Sequence, residues 1–419
     1  MNAPSATIRA YRKKRDRDAA RRIWMEVGWS QDPSGLGTDA DMVVEAGRAV
    51  VAEMDGSAEA LACSCRGAMQ YLDSELPIAC VTGVAVSRIA RKQGLARRLT
   101  AQLVAHDARE GAALTVLGMF EQGFYNELGF GTGAYEVWAS FNPADLQLPV
   151  SHRPPQRIAC DEQKAVHACR LARRRSHGGT NLHPVGISGG WMNNPATTFG
   201  LGFRDPGSGA ITHMAWFSTD DNAEFGPLFI PFMAWRTPTE FLELMSVIRS
   251  LGDRIHLVRM PEPAGIQLQD LLSQPFARFR TTAGGKFAAR LEARGYWQAR
   301  INHLEPCVSK TQVCGEPIRF NLKLSDPIEK YLAAGSTSKW RGCAGEYVIT
   351  FGPESSAHRG TAPGLPVMQA EVGAFTRLWL GVQPATGLAI TDKLKAPDRL
   401  LEGLDRLLRL PRPCPDWDF

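Results

Sequence analysis

Over the first 150 residues, short apolar runs alternate with segments of helical period. Ala19, Ala20, Ile23, Trp24 and Val27 recur at helical spacing and predict a helix over Asp16–Val27. Arg48–Met54 and Leu61–Met69 read as short strands, parted by the polar turn Asp55-Gly56-Ser57. Pro77–Val86 is a candidate buried strand. It runs into a basic loop, Arg88–Gly94, and then into a predicted helix over Leu95–Glu110, with Leu95, Leu99, Leu103 and Val104 on one face. Gly111 is placed to end that helix as a C-cap. Ala113–Met119 reads as another buried strand, followed by Gln122–Leu128 and Gly129-Phe130-Gly131, and Tyr135–Phe141 alternates again.

Beyond residue 150 the pattern loosens. Ser151–Pro155 has a linker's composition, and a second mixed segment follows over residues 156–294. Its strand Leu228–Trp235 leads directly into a helix over Pro238–Leu251. A third segment, residues 295–419, carries predicted strands at Pro317–Leu324 and Glu346–Phe351, helices at Glu371–Leu380 and Asp398–Leu410, and a tail from Pro411 to Phe419. These patterns predict a mixed α/β protein divided at 1–150, 156–294 and 295–419. No short-period repeat occurs, so a solenoid is not expected.

Composition narrows the classes. Hydrophobic residues are 44% and charged residues 22% of the 419, a globular mix. Lys plus Arg is 48 and Asp plus Glu 43, for a net charge of +5, too mild for nucleic acid to be the main partner. Nine cysteines lack C-x-x-C spacing, and nine histidines lack an H-x-x-x-H pair, so no metal is expected. The charged first residues have no apolar core of a signal peptide, and no window approaches a membrane span. The expectation is a cytoplasmic protein that needs neither membrane nor nucleic acid.

The strongest chemical signal is a strand, then Arg91-Lys92-Gln93-Gly94-Leu95-Ala96, then a helix. Small residues at the fourth and sixth positions let a ligand approach the backbone. A helix N-terminus offers unpaired N–H groups and partial positive charge, which suits a phosphate. Arg91, Lys92 and Arg97 add cationic side chains. The pattern is neither a Walker loop nor G-x-G-x-x-G.

Residues 80–131 together resemble the GCN5-related acetyltransferase (GNAT) signature. The resemblance implies that Val84, Ala85 and Val86 hydrogen-bond the pantetheine arm of acetyl-CoA. It further implies that Lys92, Gln93, Gly94, Leu95, Ala96 and Arg97 hold the pyrophosphate, with Phe120 and Glu121 also beside the cofactor. Phe124-Tyr125 with Gly129-Phe130 looks like the family's Y-x-x-x-G-F, whose tyrosine faces the CoA sulfur, and the main-chain N–H of Val84 would meet the oxyanion. The whole chain looks like the Eis-type N-acetyltransferases. That likeness implies two tandem GNAT-like domains, the second degenerate, plus a sterol-carrier-like domain. It also implies a homohexamer, amine acceptors such as aminoglycosides or lysine side chains, and a terminal carboxylate, here that of Phe419, in the active site.

Elementary acid–base chemistry asks for such groups. An alkylammonium must lose a proton before it attacks a thioester, at a cost of about 4–5 kcal/mol at pH 7. The departing thiolate must gain one, and a phenol supplies it uphill by roughly 2 kcal/mol, which suits Tyr125 as general acid. An α-carboxylate, as at Phe419, is a weak base that burial or a water relay would strengthen. Trp24 and Trp29 are candidates for an acceptor pocket, and Glu26, Asp32, Asp416 and Asp418 for an acidic mouth. Arg173-Arg174-Arg175 reads as a solvated helix face and His106 as a surface residue. Two other readings stand beside the transferase: a catalytically idle CoA-binding regulator, and a lipid carrier or scaffold that uses the third segment.

Overall fold

The computed structural model describes residues 6–29, 38–192, 196–219, 224–274, 276, 285–332 and 339–419. It is a mixed α/β structure with three mixed sheets, as expected for tandem GNAT-like domains followed by a C-terminal domain. The chain divides into two compact units, one of Met1–Ala134, His177–Pro184 and Tyr296–Phe419, the other of Tyr135–Ser176 and Val185–Gly295.

The first unit opens with β1 (Thr7–Ala10), α1 (Lys13–Glu26), α2 (Thr38–Glu45), β2 (Arg48–Met54), β3 (Ser57–Tyr71) and β4 (Ser74–Val86). Next come α3 (Leu95–Arg109), β5 (Leu114–Gly118) and β6 (Gly131–Thr132). The sheet runs β1-β2-β3-β4-β5, then strand Trp297–Ile301, then β6, with Thr180–Leu182 added along β3. Neighbours are antiparallel except β4 and β5, the parallel pair that α3 connects. Alternation splits the apolar residues between two faces. Val50, Ala52, Ala62 and Val81 pack with Leu95, Leu99 and Leu103 of α3. Val51, Leu61, Cys63 and Ala85 pack with Ile23 and Trp24 of α1. The same unit holds a five-stranded sheet ordered 356–359, 345–351, 318–325, 367–371, 394–395.

The second unit holds a seven-stranded sheet ordered 290–294, 136–141, 258–261, 228–234, 211–218, 198–204, 156–158. Its helix Pro238–Ser250 buries Phe241, Leu244, Met245 and Ile248 against that sheet.

Strand pairing crosses the boundaries drawn from composition. Glu136–Phe141, from the end of the first segment, pairs with 258–261 and 290–294 in the second unit. Trp297–Ile301, from the third segment, pairs with β5 and β6 in the first. Residue periodicity reports which face of a strand is buried and is blind to the sheet it joins. A further difference lies at Arg173, which is not on a solvated helix face. The helix Gln163–Ala172 stops before it, and its side chain is buried, with a guanidinium N–H donating to the Arg170 carbonyl at 2.8 Å.

Candidate active site

The site is built where two parallel strands part. β4 and β5 pair only from Ile78–Leu114 to Val81–Leu117. Residues 82–86 continue β4 along β3 alone, so their edge toward β5 leaves main-chain groups without a sheet partner. The register of β3 and β4 slips between Leu61 and Cys63, opposite Gly83, which sits at φ +61°, a conformation that costs glycine little. Val84, Ala85 and Val86 line a cleft of ≈ 690 Å³.

The cleft continues onto the start of α3. Arg91, Lys92, Gly94, Leu95, Ala96 and Arg97 all line it. Gly94 is the N-cap at φ +73°, no side chain caps the helix there, and the space beside Gly94 is open to 4 Å. The first N–H groups of a fifteen-residue helix therefore face the cleft unclaimed by a cap, with the positive end of the helix dipole behind them. Gln93 is the one predicted loop residue absent from the lining, and its amide donates to Ile89 O at 3.3 Å. The helix Pro238–Ser250 of the other unit is the counterexample. There Thr237 and Glu240 form a capping box, and Arg236 N donates to Glu240 at 2.6 Å, so the donors are already spent.

Phe120 and Glu121 lie on the wall beyond β5, and Phe120 is 71% exposed. Tyr125 is buried at 2% exposure among Phe120, Phe124 and Phe130, with ring centroids 6.1, 4.8 and 6.1 Å away. Among the described residues nothing hydrogen-bonds its hydroxyl, and burial raises its pKa above the usual phenol value. Arg97 stacks 4.7 Å from the Phe124 centroid and pairs with Glu127 at 3.0 Å, and Tyr331 donates to the same Glu127 at 2.8 Å.

The C-terminal tail reaches the end of β5, beside the residues that line the cleft but not among them. Cys414 N donates to His177 O at 3.0 Å, Thr180 N to Pro415 O at 2.8 Å, and the Tyr296 hydroxyl to Trp417 O at 2.9 Å. A main-chain oxygen of Phe419 then lies 2.8 Å from where a Cβ on Gly118 would stand. Gly118 is the last residue of β5, one step past the point where β4 and β5 separate. Asp418 is close enough to Cys80 to add to the effect of Cys65 and burial in pushing that thiol's pKa well up.

Some candidates serve other purposes. Trp24 is a core residue of the α1 face, whereas Trp29 is half-exposed and lines the cleft. Glu26 lines the cleft too, but it pairs with Arg22 at 2.9 Å and accepts from Arg88 N at 2.7 Å, which neutralises it as part of an acidic mouth. Asp32 lies outside the described residues. His106 is partly covered, 3.3 Å from Arg109 at the far end of α3, away from the cleft. Gly118, Glu127 and Tyr331 join the site unforeseen. Gly118 alone carried a signal, as a glycine inside an apolar strand often marks close approach by another backbone. Among the described residues, no group of three or more His, Cys, Asp or Glu could hold a metal, and no helix is long and apolar enough to cross a membrane.

Residues 7–133 match the family model of the acetyltransferase (GNAT) domain, which spans both the splayed strands and the loop before α3. No curated protein matches the chain by sequence. Solved structures share its fold from end to end. A conserved protein of unknown function from Enterococcus faecalis V583, titled a probable N-acyltransferase, is 17% identical, covers 100% of both chains and superposes with a TM-score of 0.75. A GCN5-related N-acetyltransferase from Anabaena variabilis is 13% identical over 99% of this chain and 100% of its own, with a TM-score of 0.77. Eis1 from Mycobacterium abscessus is 15% identical over 99% and 100%, with a TM-score of 0.74. The chain therefore carries a GNAT domain, a class that uses acetyl-CoA as co-substrate, within a fold common to these proteins.

Proposed function

We propose that the protein is an Eis-type N-acetyltransferase that moves acetyl from acetyl-CoA to an amine by direct attack within a ternary complex. One observation carries the reading. An unpaired strand edge at residues 82–86 runs into the uncapped N-terminus of α3, and a buried phenol packs behind Phe120 and Phe124 of the cleft wall. Main-chain groups of Val84–Val86 bind the amide-bearing pantetheine arm. The amides at Gly94–Arg97 and the cations of Arg91, Lys92 and Arg97 bind the diphosphate. Acetyl-CoA supplies the activated acyl group: the amine nitrogen bonds to the carbonyl carbon, the C–S bond breaks, and CoA leaves as thiolate.

Tyr125 delivers a proton to that sulfur. Its raised pKa keeps the phenol protonated throughout the physiological range and so ready to donate. The Val84 N–H stabilises the oxyanion. A carboxylate at Phe419, held beside Gly118, would orient the ammonium and accept its proton. The acceptor is a multi-amine compound such as an aminoglycoside, or a lysine side chain, and the assembly is a homohexamer in the cytoplasm. The C-terminal domain is sterol-carrier-like and the second GNAT-like domain is degenerate, which the self-capped helix at Thr237 supports.

The test is thiol release from acetyl-CoA over polyamines, aminoglycosides and lysine peptides. Turnover with at least one of them is expected, and Tyr125→Phe should lower kcat by roughly 100-fold with acetyl-CoA binding retained. Acetyl-CoA binding without turnover on any acceptor would leave a regulator instead, and unchanged kcat in Tyr125→Phe would remove the phenol from the chemistry.

A further inference from the structure

The residue that leads into the Tyr125 turn's far end is held by a buried ion pair from the C-terminal part of the chain. After Tyr125 the backbone makes a 3₁₀ turn over Asn126–Leu128 and leaves it through Gly129 at φ +81°. Leu128 N and Phe130 N return to Tyr125 O at 2.9 and 3.2 Å, so whatever fixes Leu128 and Phe130 also fixes the backbone that carries the phenol. Arg300, fully buried on strand Trp297–Ile301, donates one N–H to the Leu128 carbonyl. Its other terminal nitrogen donates to Asp326 at 2.6 Å, and both side chains show 0% exposure. Asp326 is itself fixed, accepting from Ile328 N at 3.1 Å and from Cys343 N at 3.0 Å. The pair leaves the turn no slack. A Cβ on Gly129 would fall 2.5 Å from Val372, 3.2 Å from Arg300 and 3.3 Å from Asp326.

Such a pair is an expensive way to fill a core, because two ions must leave water and apolar residues of similar volume stabilise as well. What the guanidinium offers instead is a rigid fork that reaches a carbonyl and a carboxylate at once. We propose that Arg300, oriented by Asp326, is a positioning residue for Tyr125, so that this clamp sets where the phenol's proton is delivered. The inference rests on the reading of Tyr125 as general acid.

Arg300→Lys tests it, since lysine keeps a cation for Asp326 but cannot span both acceptors. Steady-state kcat and KM would be measured well below the melting temperature, alongside Tyr125→Phe and the double variant. Displacement of a catalytic group by about 1 Å can cost 100-fold. The expectation for Arg300→Lys is therefore a fall in kcat of roughly 10-fold or more, with KM for acetyl-CoA within twofold. In the Tyr125→Phe background the same substitution should change kcat less than twofold, because the group it positions is gone. An equal loss in both backgrounds, or a lowered melting temperature with kcat intact, would overturn the proposal and leave Arg300 a structural residue. If Arg300→Lys does not fold, Asp326→Asn, which keeps an oxygen for the Ile328 amide and removes the anion that orients Arg300, is read by the same cycle. Loss of the Tyr125→Phe effect itself would instead strike the reading of the acid.

Discussion

Gly118→Ala places one methyl group where the C-terminal tail meets the sheet. The added Cβ would stand 2.8 Å from the Phe419 oxygen, 3.6 Å from its carbonyl carbon and 3.7 Å from its Cβ. Ordinary carbon–oxygen contact is roughly 0.5 Å longer than the first of these, so one side must give way. The strand cannot. Gly118 is paired with Trp297, and the neighbouring Met119 N donates to Tyr296 O at 2.6 Å. The tail is held at Cys414, Pro415 and Trp417, so the displacement falls on Phe419, whose ring lies 6.4 Å from that of Tyr296. Alanine suits a β-strand at least as well as glycine, so stability should hold within about 0.5 kcal/mol. A carboxylate displaced by half an ångström to one ångström should lose roughly 10- to 100-fold in kcat for amine acetylation. The assay is thiol release at saturating acetyl-CoA, with binding of acetyl-CoA followed separately and expected unchanged. Full turnover in Gly118→Ala would show that the position of Phe419 has no bearing on transfer.

Extension of the chain past Phe419 by a short tag should abolish transfer while acetyl-CoA still binds, and an active tagged protein would exclude a terminal carboxylate from the mechanism. Asp107 predicts a pH effect on stability. Burial pushes its carboxyl up to about 6, against Ser64 and Arg48, which favour the anion. The folded state thus holds a proton that the unfolded state releases near pH 4, so this group's contribution falls as pH rises from about 4 to 6 and is level above. Asp107→Asn should remove that slope and raise stability at pH 8 relative to pH 4 by roughly 2–3 kcal/mol, read from urea unfolding; an unaltered pH dependence would refute the assignment. Glu127→Gln frees Arg97 from an internal anion, so acetyl-CoA should bind several-fold more tightly at low salt, and weaker binding would show that Glu127 aids the grip instead.

Elements with strong local signals were legible in the sequence. Arg48–Met54 matches its strand residue for residue, and the helix predicted over Leu95–Glu110 ends one residue early. The stretch Ser57–Ala60 at the head of β3 was missed, since alternate alanines there favour no strand until a neighbour covers them. Strands as short as Gly131–Thr132 and Thr180–Leu182 exist only through their partners. The same holds for the site. The loop before α3 carries its chemistry in consecutive residues and could be read directly. Arg300 could not, because it sits in a five-residue buried strand and its partners, Leu128 and Asp326, lie far off in sequence. Glu26 looked available although Arg22 stands four residues before it on the same helix; what the sequence hides is the Arg88 amide, 62 residues on.

Calorimetric titration of the full chain with coenzyme A tests the central claim most directly. The splayed strand edge and the bare helix end predict one saturable site per chain, weakened when Arg91 and Lys92 are replaced by alanine. No heat at millimolar ligand would contradict the account at its root.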